Sequence, residues 1–261
     1  MKFWFSLSIY IFVNFIVVPF VQGQTEQSKD SLKTVYVFEM KDDIDPRMNR
    51  KVRMAMEDAV EKKAALIIVH MDTYGGAVND ADDIRTNFLE SKIPIVSFID
   101  KDAASAGALI SIACDSIYMA KGGSIGAATV VMGGSGEAAP DKYQSYMRSM
   151  MRSTAEARGR NPQIAEAMVD ENIEVEGVSK SGEVITFSVS EAIENGFCEA
   201  QVSSIEEIVA RYGLTNYEIY KYSPSATEDI ISLFLNPAVS GFLILIIFAG
   251  IYFEIQTPGI G

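Results

Sequence analysis

The sequence predicts an α/β fold built from successive strand-turn-helix units, and three observations predict it. Apolar runs of strand length, at 64–69 and 95–99, alternate with segments whose apolar residues recur at helical spacing. The run at 64–69 is continuous rather than alternating, as in a parallel strand buried on both faces. Glycines, Gly75 and Gly76 among them, sit where a strand must give way to a helix.

Residues 24–33 read as a polar linker and 34–40 as the first strand, in which Val35 and Val37 alternate with larger side chains. Asp45-Pro46 starts a helix, with Met48, Val52, Met56, Ala59 and Val60 on one face. Arg50, Arg53, Glu57, Glu61 and Lys62 make its solvated face. A second helix follows the glycines, turning Val78, Ala81, Ile84 and Phe88 inward, and Pro94 introduces the strand at 95–99. Residues 103–114 are small and apolar throughout, which fits a buried helix carrying a reactive side chain at its start. A short strand at 116–120 leads to a glycine-rich turn at 122–126. The glycine- and alanine-rich loop at 131–139 is of a kind that borders sites or acts as a lid. Residues 140–157 are helical, with Tyr143, Met147, Met150 and Met151 as a stripe for packing or for contact between copies. A hairpin is expected around Lys180-Ser181-Gly182-Glu183, then short helices at 190–195 and 204–212 stopped by Gly196 and Gly213.

The ends are apolar. Lys2, the uncharged stretch 3–21 and the polar residues after it read as a secretory signal, with cleavage near Gly23, or as an uncleaved anchor. Near the other end a transmembrane segment is expected within 230–256. Its uncharged part, 237–253, begins with Asn236 as N-cap and Pro237 in the first turn. A net charge of -13 over 261 residues argues against a nucleic acid as partner, because binding phosphates takes basic surface. Cys114 and Cys198 lie in apolar settings and read as two buried free thiols. No ligand cluster calls for a metal.

The chemistry gathers at two motifs, Asp72-Thr73-Tyr74-Gly75-Gly76 and Ala103-Ala104-Ser105-Ala106-Gly107. The first frees backbone N–H groups in a turn and the second sets a hydroxyl among small residues, which together sketch an oxyanion hole and a nucleophile. A hydroxyl nucleophile needs a base. The single histidine, His70, sits in the apolar run before the turn and reads as structural, although a triad through it stays open. A lysine also serves when its amine is neutral, and chemistry alone leaves Lys121, Lys142, Lys180 and Lys221 in play. Lys142 stands out because it follows the 131–139 loop near the start of a helix.

From about residue 35 onward the chain resembles the membrane-bound, Clp-class serine proteases of the NfeD family, relatives of ClpP and of signal peptide peptidase A. The resemblance rests on motifs in order: Ile44-Asp45, the two motifs above, Ser124-Ile125-Gly126-Ala127, Lys142, Gly159-Arg160-Asn161, Ser190-Glu191-Ala192 with Gly196, Asn236-Pro237 and Thr257-Pro258-Gly259. It implies a ClpP/crotonase-like domain over 34–222 and a catalytic Ser-Lys dyad of Ser105 and Lys142. By the same resemblance Gly76 and Ala106 supply the oxyanion hole, and Gly75 and Gly126 let the substrate backbone approach. Tyr74 departs from the family, which usually has proline there. Many members continue through further membrane helices into a small β-barrel, so either a short form or a truncated sequence is expected.

The resemblance implies an ATP-independent endopeptidase without a cofactor. It would cleave hydrophobic segments of stomatin/prohibitin-like membrane proteins, self-associate, and hold its catalytic domain on the extracytoplasmic, periplasmic side. The alternatives are a non-catalytic membrane scaffold with the same fold and, less favoured, an acyl-CoA-binding crotonase-type enzyme. The last would need a basic patch for the CoA phosphates, which this acidic chain does not offer.

Overall fold

The computed structural model describes residues 32–257 and 259, so the expected signal at 1–23 and most of the linker lie outside the described residues. The chain runs β1 (Lys33–Met40), α1 (Pro46–Glu61), β2 (Leu66–Thr73), α2 (Val78–Leu89), β3 (Ile95–Ala104), α3 (Ala106–Ile112), β4 (Ser116–Met119) and β5 (Ser124–Gly126). It continues through α4 (Asp141–Ala157), α5 (Pro162–Ala167), β6 (Thr186–Ser188), α6 (Val189–Glu194), β7 (Ala200–Gln201), α7 (Ile205–Arg211) and β8 (Tyr217–Lys221). Two last helices follow, α8 (Ala226–Leu235) and α9 (Pro237–Gln256).

The strands make one 8-stranded sheet in the order β6-β5-β3-β2-β1-β8, with β4 on β3 and β7 on β4. Every pairing is parallel except that of β5 with β6. Parallel neighbours need crossovers, and the helices that supply them cover the sheet. Alternate side chains of β1 and β2 therefore enter two separate cores. Tyr36, Phe38, Ile67, Val69 and Met71 pack with α1, α2 and α3, while Val35, Val37, Leu66 and Ile68 pack with Val96, Phe98 and α7.

Local chemistry explains the starts of three helices. Asp45, Asn161 and Asn236 each accept two backbone N–H bonds at an N-cap with proline just inside, in α1, α5 and α9. Three expectations shift. The strand expected at 64–69 spans Leu66–Thr73 and the one expected at 95–99 runs on to Ala104, because the backbone ladder between them continues to the pairing of Thr73 with Ala103. The expected helix at 103–114 begins at Ala106, since Ala103 and Ala104 still pair with Ile125 and Gly126 of β5. No hairpin forms at 180–183. A tight turn closes at Val175 and Ser179 instead, and β6 takes β5 as its partner. On α1, Val60 is exposed and Ala55 takes the buried place.

Candidate active site

The site is built where β3 changes neighbours. Its first half pairs with β4 and its last residues, Asp102 to Ala104, pair with β5, so the strand is steered away from β4 just before it ends. Ser105 then turns the chain into α3 with φ 54 and ψ -119. Such a conformation costs a non-glycine residue about 1–3 kcal/mol and persists only when its surroundings impose it. Here they do: the Ser105 N–H donates to Gly126 O at 2.9 Å, and the Ser105 carbonyl accepts from Ala108 and Leu109 at 3.0 and 3.3 Å. A strained strand-to-helix turn presents its side chain outward, as a nucleophile requires. Among the described residues no group hydrogen-bonds Ser105 Oγ.

The glycine turn is fixed against it from the other side. Thr73 Oγ1, buried, donates to Asp42 O at 2.8 Å and accepts the Gly75 N–H at 3.1 Å. Ile44 N–H donates to Gly75 O at 2.8 Å and Ala77 N–H to Ile44 O at 2.7 Å. A Cβ on Gly76 would lie 2.1 Å from the Ile44 carbonyl oxygen, so only glycine fits this approach. Among the described residues neither the Gly76 nor the Ala106 N–H meets a protein acceptor. Both residues line a cleft of about 60 Å³ with Ser105, Ala128, Val130 and Met147.

Gly75 and Gly126, expected to meet substrate backbone, do not line that cleft. Gly75 packs under Ser105, where a Cβ would stand 2.6 Å from the serine Cβ. Gly126 is sandwiched between Ala104 and Thr186 and uses its carbonyl to hold Ser105. The smallness of Gly75 makes room for the serine, and that of Gly126 makes room for Ile185 and Thr186, which a Cβ would meet at 2.4 and 2.8 Å.

Lys142 lies in the first turn of α4, exposed, with Nζ 4.7 Å from the centroid of the Tyr143 ring. It lines a larger cleft of about 670 Å³ with Met132, Tyr143 and Tyr146. Val78, Val130 and Val131 border both clefts. The structure thus puts Ser105 and Lys142 in adjoining clefts without a hydrogen bond between them. The loop at 131–139 forms the wall: Val131 bridges Ala138, and Ala139 N–H donates to Val130 O at 2.9 Å. Gln144 clamps its base. Its Oε1 accepts the Val130 N–H at 3.0 Å, and its Nε2 donates to Val130 O at 2.7 Å and to Ala139 O at 3.2 Å. Sequence reasoning missed Thr73 and Gln144, whose importance lies in backbone partners far along the chain.

His70 is on the other sheet face, with Leu66 and Ile68. It stacks on Phe98 at 5.2 Å, and its Nε2 is 3.2 Å from Asp100 Oδ2. The Gly159-Arg160-Asn161 motif proves to be support. Arg160 Nη1 donates to Ile112 O and Cys114 O at 3.0 and 3.1 Å, and Arg158 Nε donates to Ala113 O at 2.7 Å, closing the far end of α3. Burial lowers the Arg160 pKa and pushes the Cys114 thiol up to about 12. Cys198 is likewise free and buried, its thiol raised by burial to about 11. Glu191 closes a capping box with Ser188, whose hydrogen bonds hold the carboxyl below its ordinary value.

Comparison with known proteins agrees with this architecture. The sequence model of the family described as NfeD1b, N-terminal domain, matches residues 34–222. Membrane protein NfeD1b of Bacillus subtilis (strain 168) is 33% identical over 240 residues, 92% of this chain and 55% of that protein. Membrane-bound protease PH1510 of Pyrococcus horikoshii is 28% identical over 240 residues, 86% of this chain and 54% of that protein. The chain spans about half the length of these curated relatives. Among solved structures, a lysine-to-alanine mutant of the 1510-N membrane-bound stomatin-specific protease in complex with a substrate peptide has a TM-score of 0.68 at 26% identity. That match covers 79% of this chain and 99% of the other. A serine-to-alanine mutant of the same protease gives 0.65 at 26% identity, covering 75% and 100%.

Proposed function

Since this chain belongs to the family of the NfeD1b N-terminal domain, we propose that it is a membrane-anchored, ATP-independent serine endopeptidase using a dyad of Ser105 and Lys142. The observation that carries the reading is the strained Ser105 turn beside two N–H groups, of Gly76 and Ala106, that have no protein acceptor among the described residues. Ser105 Oγ attacks the peptide carbonyl while its proton passes to the Lys142 amine. The oxygen that becomes negative is held by the Gly76 and Ala106 N–H groups, each such donor contributing about 10²–10³ in rate. The Lys142 ammonium protonates the departing amine, and the free amine then activates water to release the acyl group from Ser105.

In this proposal Lys142 leaves the Tyr143 ring when substrate enters. An exposed cation–π contact is worth about 0.5–1 kcal/mol, so that movement costs little beside the binding of a peptide. Hydrogen bonds of a catalytic group often tighten only with substrate bound. The apolar cleft of Met132, Tyr143 and Tyr146 supports hydrophobic segments as substrates. The stomatin specificity of the 1510-N relative supports a stomatin-like membrane protein. Anchoring rests on α9, which is long and apolar enough to cross a membrane, and in this proposal the catalytic domain faces the extracytoplasmic side. Self-association belongs to the same proposal.

The scaffold reading has one observation in its favour, the absence of a hydrogen bond between Ser105 and Lys142. The test is cleavage of a peptide spanning the hydrophobic segment of a stomatin-class protein by the full chain in lipid. The proposal expects ATP-independent products that vanish in Ser105→Ala. Intact peptide after prolonged incubation, or equal cleavage by Ser105→Ala, would leave the scaffold. A reporter fused after Gly213 tests topology and should be active only outside the cytoplasm.

A further inference from the structure

Helix α8 turns Glu228, Ser232 and the half-buried Ile231 toward the protein and a row of large apolar side chains away from it. Arg50 of α1 grips both Glu228 carboxylate oxygens, Nε to Oε2 at 2.7 Å and Nη2 to Oε1 at 2.9 Å. Glu228 and Ser232, one turn apart, both line the crevice between α8 and α1. Ile230, Leu233 and Phe234 occupy the opposite face at i, i+3 and i+4 and are 59%, 56% and 55% exposed.

The neighbouring helix α9 indicates the cover for that face. Asn236 ends α8 and caps α9. Ser240 Oγ donates to Phe234 O at 2.6 Å, fastening the first turn of α9 to the last turn of α8. The apolar face therefore ends where a 20-residue helix of hydropathy 2.2, buried nowhere in the protein, begins. At 1.5 Å per residue such a helix spans about 30 Å, the thickness of a hydrocarbon core. Residues 222–261 contain no Lys or Arg, so adhesion here must come from apolar burial rather than from attraction to anionic lipid.

We propose that α8 is an in-plane interfacial helix that beds Ile230, Leu233 and Phe234 in the headgroup-to-acyl boundary of the bilayer at the foot of α9. The Arg50–Glu228 pair then ties the α/β domain to a helix fixed at the membrane surface. This rests on α9 as a membrane span and not on the peptidase reading.

The test uses the full chain in phosphatidylcholine liposomes with its single tryptophan, Trp4, changed to Phe, and one reporter introduced at a time. Phe234→Trp and Ile230→Trp should emit to the blue of an exposed tryptophan. Lipid brominated near the carbonyl end should quench them about twofold more than lipid brominated near the chain terminus, as for a face buried about 5–10 Å. Phe242→Trp in α9 should be quenched by the deep bromines, and Val60→Trp on the exposed side of α1 by neither. Quenching of Phe242→Trp without quenching at 230 or 234 overturns the proposal while α9 stands. Blue emission at 230 and 234 that ignores bromine and is lost on dilution in lipid assigns the face to a second copy. If Phe242→Trp is not quenched either, the membrane span falls and the proposal with it.

Discussion

Gly75 lies against Ser105 so closely that a Cβ on the glycine would stand 2.6 Å from the serine Cβ and 3.1 Å from its Oγ. Its φ of 108 is also a conformation that side chains rarely adopt. Gly75→Ala should therefore displace the serine, at a cost of about 1–3 kcal/mol in strain, and lower kcat about 10²-fold or more. Normal kcat in a folded Gly75→Ala protein would show that the serine position is not set by this contact.

Removing a member of the proposed dyad should reduce kcat roughly 10³-fold or more, because on that proposal the two groups act as a unit and the double variant loses little further. Ser105→Ala, Lys142→Ala and the double variant, assayed on one peptide, measure this. His70→Ala should keep near-normal turnover, since the imidazole faces the opposite core and stacks on Phe98. Additive losses would mean that serine and lysine serve separate steps.

How far the sequence discloses this architecture depends on the range of the interactions involved. Periodicity makes α2, with Ala81, Ile84 and Phe88 buried, and the doubly buried β2 readable, because both patterns are local. β5, β6 and β7 are too short to leave a pattern and exist through partners far along the chain. Helix α8 escapes notice because its apolar face covers nothing in the protein. The glycine turn and the serine can be picked out by residue type. Thr73 and Gln144 cannot, since each works by bonding backbone 31 and 14 residues away. The separation of Lys142 from Ser105 is likewise invisible without the fold of the 131–139 loop.

Gln144 should control that loop. Gln144→Ala leaves the Val130 N–H without its side-chain acceptor and removes donors to two carbonyls, each lost bond costing about 0.5–1.5 kcal/mol. Hydrogen exchange at 130–139 should rise and KM should increase several-fold with the fold intact. Gln144→Glu should fare no better, because a carboxylate would face the carbonyls of Val130 and Ala139. Unchanged exchange in both variants would refute the clamp.

The cysteines offer a separate check of packing. With thiols pushed up to about 12 and about 11 by burial, Cys114 and Cys198 should resist alkylation at pH 8 in the folded protein and react at once in denaturant. Rapid labelling of Cys114 in the native state would contradict the closed end of α3.

The most direct measurement of the central claim is the rate at which a fluorophosphonate labels Ser105 in the membrane-embedded chain, followed by peptide mass. Wild-type labelling should fall on Ser105. It should be slowed by orders of magnitude in Lys142→Ala and also in Lys142→Arg, whose guanidinium stays protonated. Labelling of Ser105 at the wild-type rate in Lys142→Arg, or labelling that spares Ser105 altogether, would contradict the account.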